Sequence, residues 1–146
     1  LLLAQISMLN PILNVKLRYL AEWNQERRVR AALYDRLFSE SGLVEAAKVR
    51  LPESTSGRIY HQYVIRAERR EELRERLARA GIGTAVYYPI PLHLQPCFRN
   101  LGYAEGDFPV AERAAKETLA LPMFPSLTDA QQTEVVSSIA AFYRTS

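Results

Sequence analysis

The stretch YHQYVIRAERREELRERLARAGIGTAVYYPIP, residues 60–91, changes its hydrophobic period twice, and those changes set the fold class. Tyr60 to Ile65 is aromatic and β-branched, the composition a pleated strand prefers. A period of two puts Tyr60, Gln62 and Val64 on one face and His61, Tyr63 and Ile65 on the other, so both faces are expected to be at least partly covered. From Arg69 to Ala80 the period lengthens. Leu73 and Leu77 lie one helical turn apart, and Glu72/Arg76 and Glu75/Arg79 have the favourable i,i+4 spacing. Gly81 supplies the left-handed residue that closes such a helix. Thr84 to Tyr88 then reads as another strand, stopped by Pro89 and Pro91, which cannot donate to a ladder. A stiff extended loop is expected to continue through Pro96.

Upstream, Val49 to Leu51 alternates before Pro52 and reads as a short edge strand, followed by a turn-rich loop from Glu53 to Arg58. Asn10-Pro11 has the form of an N-cap and a first helical residue. Leu13, Leu17, Leu20, Trp23, Tyr34 and Leu37 recur near helical spacing until Gly42, which predicts one long helix with a face to bury. Downstream, Asp107 is placed to cap a helix from about Phe108 to Leu119, with Pro109 in its first turn. Leu121 to Pro125 is a short extended link. Thr128 and Gln131 form a capping box for a last helix with Val135, Ile139 and Phe142 as its buried stripe. The order helix, strand, strand, helix, strand, helix, helix predicts an α+β fold, a small and mostly antiparallel sheet packed by helices.

The 146 residues suit a single domain, and 48% hydrophobic with 24% charged residues excludes general disorder. A net charge of +3 comes from 19 Lys and Arg set among 16 Asp and Glu. That balance favours anionic ligands weakly and argues against nucleic acid. Arg27, Arg28 and Arg30 are a sharper cationic cluster, but no aromatic or glycine residue is interleaved there for base stacking. One cysteine, Cys97, forms no intramolecular disulfide, and with two histidines it gives no metal-ligand spacing, so a reducing, cytoplasmic setting is expected. The apolar start from Leu1 to Leu13 is too short to span a bilayer and lacks a signal peptide's basic lead, so no membrane partner is expected. Without an initiator methionine it reads as a cut inside a longer chain.

Few residues invite chemistry. Gly81-Ile82-Gly83 has Val86 where a dinucleotide fingerprint needs its third glycine, and it precedes a strand, so it reads as a helix cap. No G-x-S-x-G elbow supports a nucleophilic triad. The run from Glu68 to Arg79 reads as a solvated helix face. His61, on a half-buried strand, is expected to be a hydrogen-bonded packing residue, whereas for His93, in a proline-stiffened loop, packing and function both stay open. Tyr87-Tyr88-Pro89 is the most suggestive feature, since two phenols beside a rigid loop can offer hydroxyls to a polar ligand. Adjacent strand residues face opposite ways, so both line one pocket only if the strand ends or twists between them; otherwise they pack the sheet.

Around these residues the run from Ala80 to Pro96 resembles the DegT/DnrJ/EryC1/StrS family of sugar aminotransferases. The similarity extends through Leu101-Gly102-Tyr103, Gly106 to Glu112 and Leu121 to Pro125. It reaches back through Tyr60 to Tyr63 to Lys16-Leu17-Arg18-Tyr19-Leu20 and Trp23-Asn24. The resemblance implies the C-terminal small domain of a fold-type I aminotransferase over residues 15–146, with residues 1–14 an atypical lead. It implies amino transfer from glutamate to a keto-sugar nucleotide with pyridoxal 5'-phosphate as cofactor, held by an N-terminal domain that carries the Schiff-base lysine, and a homodimer. Lys16, Lys48 and Lys116 do not stand in that lysine's setting, so no catalytic, cofactor-binding or metal-binding residue is expected here and the chain alone is expected to be inactive. A substrate-facing role falls to Tyr87 and Tyr88, and more weakly to His93. The alternative is a free-standing, non-catalytic binding or interaction module with the same fold. A fragment exposes the face that meets its missing domain, so association in solution is expected.

Overall fold

In the computed structural model, which describes residues 11–145, the chain runs α1 (Leu20–Glu40), β1 (Val49–Arg50), β2 (Tyr63–Ala67) and α2 (Arg70–Arg79). Two 3-10 turns follow, Leu92–Leu94 and Pro96–Leu101, and then α3 (Pro109–Glu117), β3 (Thr118–Leu121) and α4 (Asp129–Arg144). The strands form one antiparallel sheet in the order β1-β2-β3. This is the α+β arrangement that the sequence predicts.

The sheet is assembled differently in detail. β2 starts at Tyr63 because Tyr60 takes a φ of 48°, a left-handed value outside any ladder, and His61 and Gln62 form a bend. His61 is thus exposed ahead of the strand, not the packed strand residue expected. Within β2 the alternation is clear: Tyr63, Ile65 and Ala67 are buried, while Val64 and Arg66 are half-buried. The strand expected over Thr84–Tyr88 shrinks to a single bridge, Ala85 to Ala120. The true third strand is Thr118–Leu121, in register Tyr63↔Leu121, Val64↔Ala120, Ile65↔Leu119 and Arg66↔Thr118. Its Leu119, Ala120 and Leu121 are buried in succession, and periodicity does not separate so continuous an apolar run from the end of a helix.

The core lies where α1, α2 and α4 meet the sheet. Tyr34 and Phe38, Leu73 and Leu77, and Val135 and Ile139 close around Tyr63, Ile65 and Leu119. Each such aliphatic side chain, fully buried, contributes roughly 1.5–3 kcal/mol. Polar pins fix the layers. Tyr34 donates to the carbonyl of Pro122 at 3.1 Å, and Gln132, with no exposure, donates to the carbonyl of Arg30 at 2.8 Å. Arg70 donates to the carbonyls of Ala115 at 2.9 Å and Thr118 at 3.2 Å, satisfying the end of α3. Arg70 is therefore buried, which corrects the reading of Glu68 to Arg79 as a solvated face throughout. Of the two expected helix pairs, Glu75 and Arg79 meet at 3.5 Å, while Glu72 turns back to Arg69 Nε at 2.9 Å.

The long N-terminal helix is interrupted. Residues 11–17 are helical, Arg18 and Tyr19 form a turn, and α1 begins at Leu20. Leu13, Leu17 and Leu20 remain exposed among the described residues, and the fully buried positions on α1 are Ala31, Tyr34 and Phe38. The Asn10 cap and most of the lead segment lie outside the described residues. The arginine cluster disperses into local contacts: Arg27 donates to Asn24, Arg28 to the carbonyl of Arg58, and Arg30 pairs with Asp129. The Thr128–Gln131 capping box forms as expected, with Gln131 N donating to Thr128 Oγ1 at 3.2 Å and Thr128 N to Gln131 Oε1 at 2.9 Å. Among the described residues no helix is long and apolar enough to cross a membrane.

Candidate functional site

The site begins where the sheet gives out. After the bridge at Ala85 no ladder holds the chain, so strict alternation no longer applies to Tyr87 and Tyr88. Their peptide bond is cis. Both rings are exposed, at 48% and 72%, and meet edge to face with centroids 6.1 Å apart. Together with Ile90, Pro91, Leu92 and Gln95 they line a cleft of about 590 Å³. Its floor is the face of α3 that carries Ala111, Ala114 and Ala115, where short side chains leave the space open. The strand end thus brings the two phenols to one cavity, the condition that the sequence left undecided.

The loop that carries the cleft is fixed by one carboxylate. Glu112 Oε1 accepts from Gly106 N at 2.9 Å, from Phe108 N at 3.3 Å and from His93 Nε2 at 3.0 Å. The expected cap, Asp107, instead accepts from Ala104 N at 2.8 Å, and Glu112 reaches back to the N-cap amide of Phe108 in its place. Burial pushes the Glu112 carboxyl up, but the Gly106 and Phe108 amides and His93 outweigh it and hold the group below the usual carboxylate range. The sign follows: the latch is complete above the ordinary carboxyl pKa and is lost as pH falls through the depressed value. Glu112→Ala is expected to speed hydrogen exchange at the Gly106 and Phe108 amides by on the order of tenfold or more while leaving α4 unchanged. Equal protection in the variant would remove the latch from this account.

His93 is placed behind the cleft rather than in its lining. Its side chain is largely buried against Glu112, its ring lies 4.8 Å from that of Phe108, and Phe108 in turn meets Tyr103 at 5.1 Å. These rings, with Leu92, Phe98 and Leu101, line a second, almost wholly apolar hollow of about 320 Å³. His61 shares a different groove with Gln62, Thr84 and Tyr87, on the sheet side of the tyrosine pair. Sequence reasoning passed over Glu112; an acidic residue in the first turn after Phe108-Pro109 was the available signal. Arg70 gave none, since nothing in a charge run marks the one arginine that turns inward.

The three lysines lie away from the tyrosine cleft. Lys48 pairs with Glu68 at 2.8 Å, Lys116 with Glu105 at 3.6 Å, and Lys16 is exposed on the helical segment 11–17. None lines the cleft.

Known proteins place this architecture. The sequence pattern of the DegT/DnrJ/EryC1/StrS aminotransferase family matches residues 7–140. A pleiotropic regulatory protein of Geobacillus stearothermophilus is 52% identical over 91% of this chain and 36% of its own length. The dTDP-3-amino-3,4,6-trideoxy-alpha-D-glucose transaminase of Streptomyces venezuelae is 35% identical over 88% of this chain and 33% of its own. The crystal structure of S. venezuelae DesV in complex with a ketimine intermediate superposes with a TM-score of 0.78 at 33% identity, over 90% of this chain and 34% of that one. The chain therefore spans about a third of the length of the relatives it matches, corresponding to their C-terminal portion. With the small antiparallel sheet, the proline-bounded loop and the matched sequence in agreement, the chain belongs to the DegT/DnrJ/EryC1/StrS aminotransferase family.

Proposed function

We propose that residues 15–146 act as the small domain of a nucleotide-sugar aminotransferase and supply one wall of its substrate cleft. The observation that carries this reading is the exposed Tyr87–Tyr88 pair on an open cavity whose far side the described residues do not furnish. Their hydroxyls donate to and accept from the polar groups of a keto-sugar nucleotide, and Ile90, Pro91 and Leu92 exclude water beside them. His93 serves the same wall indirectly, by holding the loop through Glu112. The residues present do not fit pyridoxal 5'-phosphate, so the cofactor and its lysine are assigned to an N-terminal domain matching the other two thirds of the relatives' length. Glutamate is the amino donor in this reading. Exposed apolar side chains such as Ile90, Leu101 and Val110 fit contact with that domain and with a second copy in a homodimer. The exposed, free Cys97 suits a cytoplasmic setting.

The test uses the longer polypeptide with its cofactor domain. Amino transfer from glutamate to a keto-sugar nucleotide is expected, and Tyr87→Phe and Tyr88→Phe are each expected to raise the KM for the sugar nucleotide roughly 3–10-fold, the worth of one neutral hydrogen bond. The KM for glutamate should stay near its original value. Absence of any such transfer sinks the assignment, and equal effects on both substrates remove the tyrosines from the sugar side of the cleft.

A further inference from the structure

We propose a second ligand site, for a phosphate-class oxyanion, in the groove between the β1–β2 edge and α3. Four cations, Lys48, Arg50, Arg66 and Arg113, line this groove of about 170 Å³ with only two carboxylates, Glu68 and Glu117. Lys48 is paired with Glu68 at 2.8 Å and Arg66 with Glu117 at 3.7 Å. The side chains of Arg50 and Arg113 have no hydrogen-bond or ion-pair partner among the described residues, so two guanidinium groups line the groove unanswered.

The register makes this costly. Arg50 stands directly opposite Arg66 in the antiparallel ladder, so both side chains leave the same face of the sheet, and like charges so placed destabilise a strand pair. A cation at a sheet edge is a common guard against edge-to-edge pairing, and that alone accounts for Arg50. It does not account for Arg66, which sits on the central strand, or for Arg113, which reaches the groove from a helix. An anion that bridges the forks answers all three. Guanidinium groups bind phosphate oxygens through paired N–H donors, and a dianion neutralises the surplus that the two carboxylates leave. The groove shares no lining residue with the tyrosine cleft and takes the opposite face of α3, Arg113 and Glu117 against Ala111, Ala114 and Ala115. It therefore stands or falls apart from the proposed transfer reaction.

The experiment titrates the 146-residue chain with inorganic phosphate and, separately, with pyrophosphate, at ionic strength held constant with chloride. Arginine Nε–H resonances are followed by NMR. Saturable shifts are expected at Arg50 and Arg113, with pyrophosphate binding more tightly than phosphate if a diphosphate is the natural group and no more tightly if a single phosphate is. The double substitution R50Q/R113Q is expected to weaken binding tenfold or more. Both positions are exposed and unpartnered, so the variant should keep the parent's circular dichroism, and the single substitutions repeat the test if it does not. Arg79→Gln, on α2 away from the groove, should leave affinity unchanged. The site is refuted if the shifts fail to saturate, if chloride alone reproduces them, or if R79Q weakens binding as much as R50Q/R113Q.

Discussion

Tyr63→Ala is expected to destabilise the chain by about 3–5 kcal/mol, a large share of the roughly 5–15 kcal/mol that holds a domain of this size. Tyr63 has no exposure and opens the central strand of the sheet. Its ring packs on Tyr34 at 4.9 Å and on Tyr60 at 6.3 Å, so truncation opens a cavity between α1 and the sheet that rigid neighbours fill only in part. Its hydroxyl donates to the Asp35 carboxylate at 2.5 Å, so Tyr63→Phe separates the two contributions. Phenylalanine keeps the packing and leaves half-buried Asp35 without that donor, for an expected loss of roughly 1–2 kcal/mol. Urea unfolding is the measurement, with midpoints that move at constant slope. A loss below about 1 kcal/mol for the alanine variant would mean that the sheet is not organised around this residue.

That residue also shows what the sequence disclosed and what it withheld. Aromatic and β-branched residues announced a strand near Tyr63, and the spacing of Leu73 with Leu77 announced α2, because both signals are local and periodic. The starting point of β2 was not legible: it depends on Tyr60 entering a left-handed conformation that its residue type disfavours, a choice made by tertiary packing. β3 was hidden for the converse reason. Leu119, Ala120 and Leu121 are covered on both sides, and a fully covered strand loses the alternation by which strands are recognised. At the candidate site, Tyr87 and Tyr88 stood out by type and by the prolines beside them. Glu112 did not, since its importance lies in three groups that converge on one oxygen from distant points of a loop, and sequence spacing carries no such information.

The second large effect concerns alkaline pH. Burial pushes the phenol of Tyr34 well above its ordinary value, and burial together with the hydrogen bond to Asp35 does the same for Tyr63. Tyr143, whose hydroxyl donates to the carbonyl of Glu68 at 2.5 Å, is pushed up to about 12, mainly by burial and then by the Glu68 charge. For a group whose pKa is raised on folding, the stabilisation is complete below the unfolded value, about 10 for tyrosine, and is lost as pH climbs toward the folded one. In that window the unfolded chain releases protons that the folded chain retains. Tyr34 and Tyr63 should each tilt the balance toward unfolding by about 1.4 kcal/mol per pH unit, or about 2.8 kcal/mol per unit together. Tyr143 adds less, because its partial exposure lets solvent screen the charge. A domain of ordinary stability is then expected to unfold cooperatively near pH 12, with tyrosinate absorbance and helical circular dichroism breaking together. Tyr34→Phe should cut the steepness of that loss by nearly half, since it deletes one of the two larger ionisations while keeping a ring in the core. Tyrosine ionisation that ran to completion through pH 12 with the helices intact would show that these phenols are open to water, and the packing of α1 against β2 would have to be redrawn.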